Sequence, residues 1–93
     1  MAWGYSTMNL EKSTMNLEKL REMMLKAKLE NKNIALELTV PNSLDTEIII
    51  VKNRCIDFKL NYYIENYSKD LTLNRCKYIK IINACIIDNY LTF

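Results

Sequence analysis

From Leu17 onward, apolar residues recur every three or four positions, at Leu20, Met24 and Ala27, with Leu25 and Leu29 beside them. That spacing predicts an amphipathic helix with one face turned to a core. Thr14 or Asn16 is the expected N-cap, since a short polar side chain can accept from the unpaired first N–H groups. Asn31-Lys32-Asn33 is expected to end the helix, asparagine being the best substitute for glycine in a left-handed cap.

The period then changes from helical to alternating. Ile34, Leu36, Leu38 and Val40 take one side while Ala35, Glu37 and Thr39 take the other, the mark of a strand with one buried face. Pro41-Asn42-Ser43-Leu44-Asp45 supplies turn residues, and Thr46 to Lys52, rich in β-branched side chains, predicts a second strand and a hairpin. After Asn53, a potential helix cap, Ile56, Leu60, Tyr63, Ile64, Tyr67 and Leu71 return to helical spacing. A second helix is expected over about 54–68, because strand alternation breaks at Tyr62-Tyr63-Ile64. Tyr78 to Asn83 predicts a third strand, and Cys85 to Phe93 a further strand or a packed tail.

The order α, β, β, α, β predicts an α+β fold: a two-layer sandwich of a mainly antiparallel three- or four-stranded sheet with two helices on one face. The helical return lets the last strand lie antiparallel beside the first, giving the spatial order second, first, third.

The N-terminus repeats itself, Ser6 to Lys12 being identical to Ser13 to Lys19. This predicts a vector-derived scar or a duplicated start over 1–12, followed by a single domain over 13–93. Seven residues are nearly two helical turns, so Leu10 shares a face with Leu17 if the helix extends backwards.

Composition narrows the function. The apolar share is 49% and the charged share 26%, the usage of an ordinary globular chain. Thirteen Lys and Arg against 11 acidic residues leave a charge of +2, too small to advertise a polyanion partner. The apolar run Ile48 to Val51 is far short of the ~20 residues of a membrane helix. No signal-peptide core is present either, so the expected location is cytoplasmic. Cys55, Cys76 and Cys85, odd in number and irregular in spacing, are expected to be reduced thiols without metal.

There is no histidine, which excludes Ser-His-Asp and Cys-His nucleophile systems and histidine zinc sites. The single glycine, Gly4, excludes phosphate-cradling loops that need glycine for close backbone approach. Asp45 and Glu47 lie close enough near the hairpin turn to form an acid/base pair, with Glu37 on the polar face of the neighbouring strand, but solubilising loop charges are the reading their setting favours. The expectation is therefore a protein that is no enzyme and has no cofactor or evident small-molecule substrate.

Two features stand out. Arg75, Lys77, Tyr78 and Lys80 gather cations and an aromatic at the start of a strand, as nucleic-acid contact requires; lysines that discourage edge pairing look the same. The second is a mismatch between strands. Whichever face of the second strand meets the helices, Ile48 and Ile50 or Ile49 and Val51 must point away from them, and Ile82 joins them if Ile79 and Ile81 face inward. Tyr62, Tyr63 and Tyr67 cannot all share one buried stripe, so Tyr62 is expected outside. The candidate interface is thus Ile49, Val51, Tyr62 and Ile82. The segment Cys85 to Leu91, or another molecule, is expected to cover the sheet's outer face, which favours a protein partner or a homodimer.

Over 46–82 the strand, then Leu60, Tyr62-Tyr63, Tyr67, Asp70-Leu71-Thr72-Leu73 and Ile79-Lys80-Ile81, resembles small uncharacterised proteins encoded by phages and prophages of A/T-rich bacteria. The resemblance implies a mobile-element origin and, since such proteins often bind and inhibit a host protein, an interaction role. It brings no known active site.

Overall fold

The computed structural model describes residues 15–88. The repeat's first copy and residues 89–93 lie outside them.

Helix α1 runs Leu17–Leu29 and buries Leu20, Met24 and Ala27, the stripe set by its spacing. Asn16 is the N-cap, its side chain accepting from the Lys19 N–H at 2.8 Å. The chain leaves the helix through Asn31, whose φ of 57° is the left-handed turn that asparagine tolerates. Lys32 N–H then donates to the Ala27 carbonyl at 2.8 Å.

Strand β1, Asn33–Thr39, buries Ile34, Leu36 and Leu38 and pairs antiparallel with β2, Thr46–Val51. Asn42, at φ 60°, turns the hairpin after Pro41. A 3₁₀ turn, Asn53–Cys55, leads into α2, Ile56–Asn66, which buries Ile56, Leu60 and Tyr63. Asn53 does not cap this helix. Its side chain points back, donating to the carbonyls of Ala27 at 3.1 Å and Lys32 at 2.8 Å, so it fastens the exit of α1 instead.

A short strand, β3 at Thr72–Leu73, turns into β4, which runs unbroken over Cys76–Ile87. The sheet order is β2-β1-β4-β3, with every pairing antiparallel, and the helices pack on one face: the predicted α+β sandwich, with the second, first and last strands side by side. The separate third strand and further strand expected over 78–93 are corrected to this one strand. A bulge hides its continuity. Glu37 pairs with Asn83 but Leu38 pairs with Ile81, which leaves Ile82 without a partner and reverses the alternation. Ile79 and Ile81 face the core before the bulge, Ala84 and Ile86 after it.

The core is one cluster that also takes in Val51, Tyr67, Leu71 and Leu73. Leu71 is fully buried at φ 68°, a conformation that costs a non-glycine residue about 1–2 kcal/mol. It is fixed from both sides: its N–H donates to the Ser68 carbonyl at 2.9 Å and its carbonyl accepts from Ile81 N–H at 3.0 Å. Among the described residues no helix is long and apolar enough to cross a membrane.

Candidate functional site

The face of the sheet turned away from the helices is built by the alternation just described. The β1–β2 register sets Val51 against Ile34 and Ile49 against Leu36, so the odd-numbered residues of β2 face the core. Val51 is buried and Ile49 is half-buried against the same cluster. Their placing on the outer face is corrected, because their partners on β1 are the buried ones. Ile48 and Ile50 point outward and are 61% and 41% exposed. Ile82, lifted by the bulge, is 40% exposed on the same side.

Ala35 and Cys85 pair between the outer isoleucines, and Glu37 stands opposite Ile48, its carboxylate accepting from the Thr46 hydroxyl at 2.6 Å. The face thus carries its isoleucines on either side of a polar row in which Glu37 pairs with Asn83. A dimple of about 80 Å³ among Ala35, Glu37, Ile48, Asn83 and Cys85 has room for only a few waters. This face suits contact with a surface, not capture of a small molecule. Residues 85–87 lie in the plane of the sheet as part of β4, so the expected cover by a segment starting at Cys85 is corrected as far as Ile87; residues 89–91 lie outside the described chain.

Tyr62 belongs to the helix layer. Its ring meets those of Tyr63 and Tyr67 edge to face, with centroids 5.5 and 6.3 Å away, and Lys59 Nζ sits 5.5 Å from its centre. It is half-buried rather than exposed, because three tyrosines pack on one another instead of sharing a stripe. Burial pushes the Tyr63 hydroxyl up to about 12, with the neighbouring Tyr67 and Tyr62 adding to it, and raises Tyr67 for the same reason. Of the interface candidates only Ile82 lies on the outer face. Ile48 and Ile50, its other members, were legible only as one of two phases of β2.

The basic segment is divided by its own strand. Arg75 sits in the turn before β4, and Tyr78 and Lys80 alternate with Lys77 across the sheet. The backbone on both sides of Ile79 is pinned by one side chain: the Thr39 hydroxyl donates to the Tyr78 carbonyl at 2.9 Å and accepts from Lys80 N–H at 3.0 Å. Lys80 lends its charge to Asp70, whose carboxyl lies below its usual value chiefly through the hydrogen bond from the Ser68 hydroxyl, then through those from Thr72.

Glu47 and Glu37 occupy opposite faces of neighbouring strands, and Asp45 donates its N–H to Ser43 Oγ in the turn, so the three carboxylates do not converge. Cys55 and Cys76 are half-buried, Cys85 is exposed, and all three are free. Among the described residues no three metal-ligating side chains cluster. A hollow of about 590 Å³ lies between the start of α1 and Ile64; its charged side chains, Glu18, Arg21 and Lys69, are all exposed, so none of them is a buried group aimed at a ligand. No protein-family model, curated protein or solved structure matches this chain.

Proposed function

We propose that this chain is a small, non-enzymatic protein-interaction module whose docking surface is the outer face of the sheet. One observation carries the reading: the helices cover a single face, and Ile48, Ile50 and Ile82 stand exposed together on the other. Exposed branched apolar side chains on a sheet face that no helix covers are the kind of surface a protein partner buries. The absence of histidine from the sequence adds support, and the resemblance of 46–82 to small phage and prophage proteins favours a host protein as the partner.

The test uses two immobilised baits in extract of the source cell, the natural chain and an Ile48→Lys, Ile82→Lys double variant. Proteins held by the first bait and not by the second, confirmed with pure components, support the reading. Identical capture by both, or none by either, refutes it. Nucleic-acid binding that falls steeply with salt and is lost in Lys77→Glu, Lys80→Glu would replace it with a reading on the basic segment.

A further inference from the structure

Strand β2 is outermost in the sheet, so among the described residues one of its backbone edges has no strand beside it. Edge strands in soluble proteins are ordinarily blunted by lysine, proline, a bulge or a covering loop. Between Thr46 and Val51 there is no lysine or proline, and the ladder to β1 runs without a register break. After Thr46-Glu47 come four β-branched apolar residues, the composition that pairs most readily.

The two ends of this strand carry opposite charge. Asp45 and Glu47 stand at its start with Glu37 alongside on β1, while Lys52 and Arg54 follow its end. None of these five makes an ion pair among the described residues. A like strand laid parallel would set like charges together; laid antiparallel, it neutralises both ends at once.

We infer that β2 pairs antiparallel with β2 of a second copy of this chain, about a two-fold axis at Ile49. An axis perpendicular to the sheet keeps the helices of both copies on one side, so facing residues share a face and the register is fixed. Ile49 meets Ile49, Ile48 meets Ile50, and Lys52 meets Thr46, whose hydroxyl already engages Glu37. On the inner face Glu47 comes to the end of the second copy's strand from which Arg54 follows. Ile49, half-buried at the margin of the core, gains its cover across the axis. The joined sheet has eight strands, twice the four of one copy. This inference stands on the edge of β2 and not on the outer face, so the two proposals fail separately.

Sedimentation over a concentration series, up to about 1 mM, tests it with the natural chain, Lys52→Glu, and Glu37→Lys combined with Lys52→Glu, each checked for native circular dichroism. The expected result is a mass rising from 11.0 kDa toward twice that value. Lys52→Glu should weaken the dimer about tenfold, the scale of two exposed ion pairs reversed, and the double variant should recover it. Amide exchange over 46–52 should slow with concentration while that over 82–87 does not. A monomer at every concentration overturns the inference. So does a double variant as weak as the single one, or protection confined to 82–87.

Discussion

Asn53 joins the two halves of the fold through one side chain, and its replacement isolates that tie. Its Nδ2 holds the Lys32 carbonyl at 2.8 Å and the Ala27 carbonyl at 3.1 Å, and its own N–H donates to Asn33 Oδ1 at 2.8 Å. Asn53→Ala removes the two side-chain bonds and keeps the backbone one. At a net ~1 kcal/mol per bond the cost is roughly 2 kcal/mol. Ala27 keeps a donor in Lys32 N–H, which holds the cost near that figure. Asn53→Asp keeps the shape but turns a donor into an anion facing two carbonyl oxygens. Such a carboxyl is raised above its unfolded value of ~3.9. Between those two values the folded variant holds more protons than the unfolded one, so its stability falls as pH rises through the window and levels off above it. Urea unfolding followed by circular dichroism from about pH 4 to about pH 8 reads both effects against the natural chain. The reasoning is refuted if Asn53→Ala stays within ~0.5 kcal/mol of the natural protein, or if the deficit of Asn53→Asp does not grow with pH.

Three further outcomes follow from the geometry. Ile48→Lys should change stability by no more than about 0.5 kcal/mol, whereas Val51→Lys, burying an unpaired ammonium, should prevent cooperative unfolding altogether; the same urea assay distinguishes them, and equal effects would mean the phase of β2 is reversed. In alkaline spectrophotometric titration Tyr63 should ionise near 12. Because it ionises later in the folded than in the unfolded chain, stability should decline as pH rises above the ordinary tyrosine value of ~10. Thiol labelling of the native protein should modify Cys85 first and Cys55 and Cys76 only slowly, with an intact mass for three free thiols; uniform rates would contradict their placement.

Elements with a single buried face were legible in the sequence, and those lacking one were not. β1 alternates because Ile34, Leu36 and Leu38 alone enter the core, and α2 was readable through its tyrosines because Ile56, Leu60 and Tyr63 keep helical spacing. β2 presents four β-branched residues in succession, which carry no phase; only the pairing of Val51 with Ile34 sets it. The bulge at Ile82 cancels the period of β4 in mid-strand, so one strand reads as two. Leu71 gives no local sign of its left-handed turn, since leucine disfavours it and its carbonyl is held by the Ile81 N–H of β4. The side chain of Asn53 was misassigned because its acceptors lie upstream. The choice of Ile49 and Val51 for the outer face, and of Tyr62 for the surface, failed for want of a long-range partner that the sequence does not display.

The central position of β1 bears on how the chain reaches this structure. Its hairpin with β2 closes over a short loop, a local event that can precede everything else. Its other neighbour is β4, whose register sets Asn33 against Ile87, far along the chain. Loop-closure entropy must be met there before any contact rewards it, so folding should be limited by the arrival of β4 and slower than in a helical bundle of equal size. Until then Ile34, Leu36 and Leu38 have helices to shield them but no strand on one side, and an unpaired central edge is the natural seat of misassembly. Substitutions in β4 at its pairing with β1 should therefore slow folding.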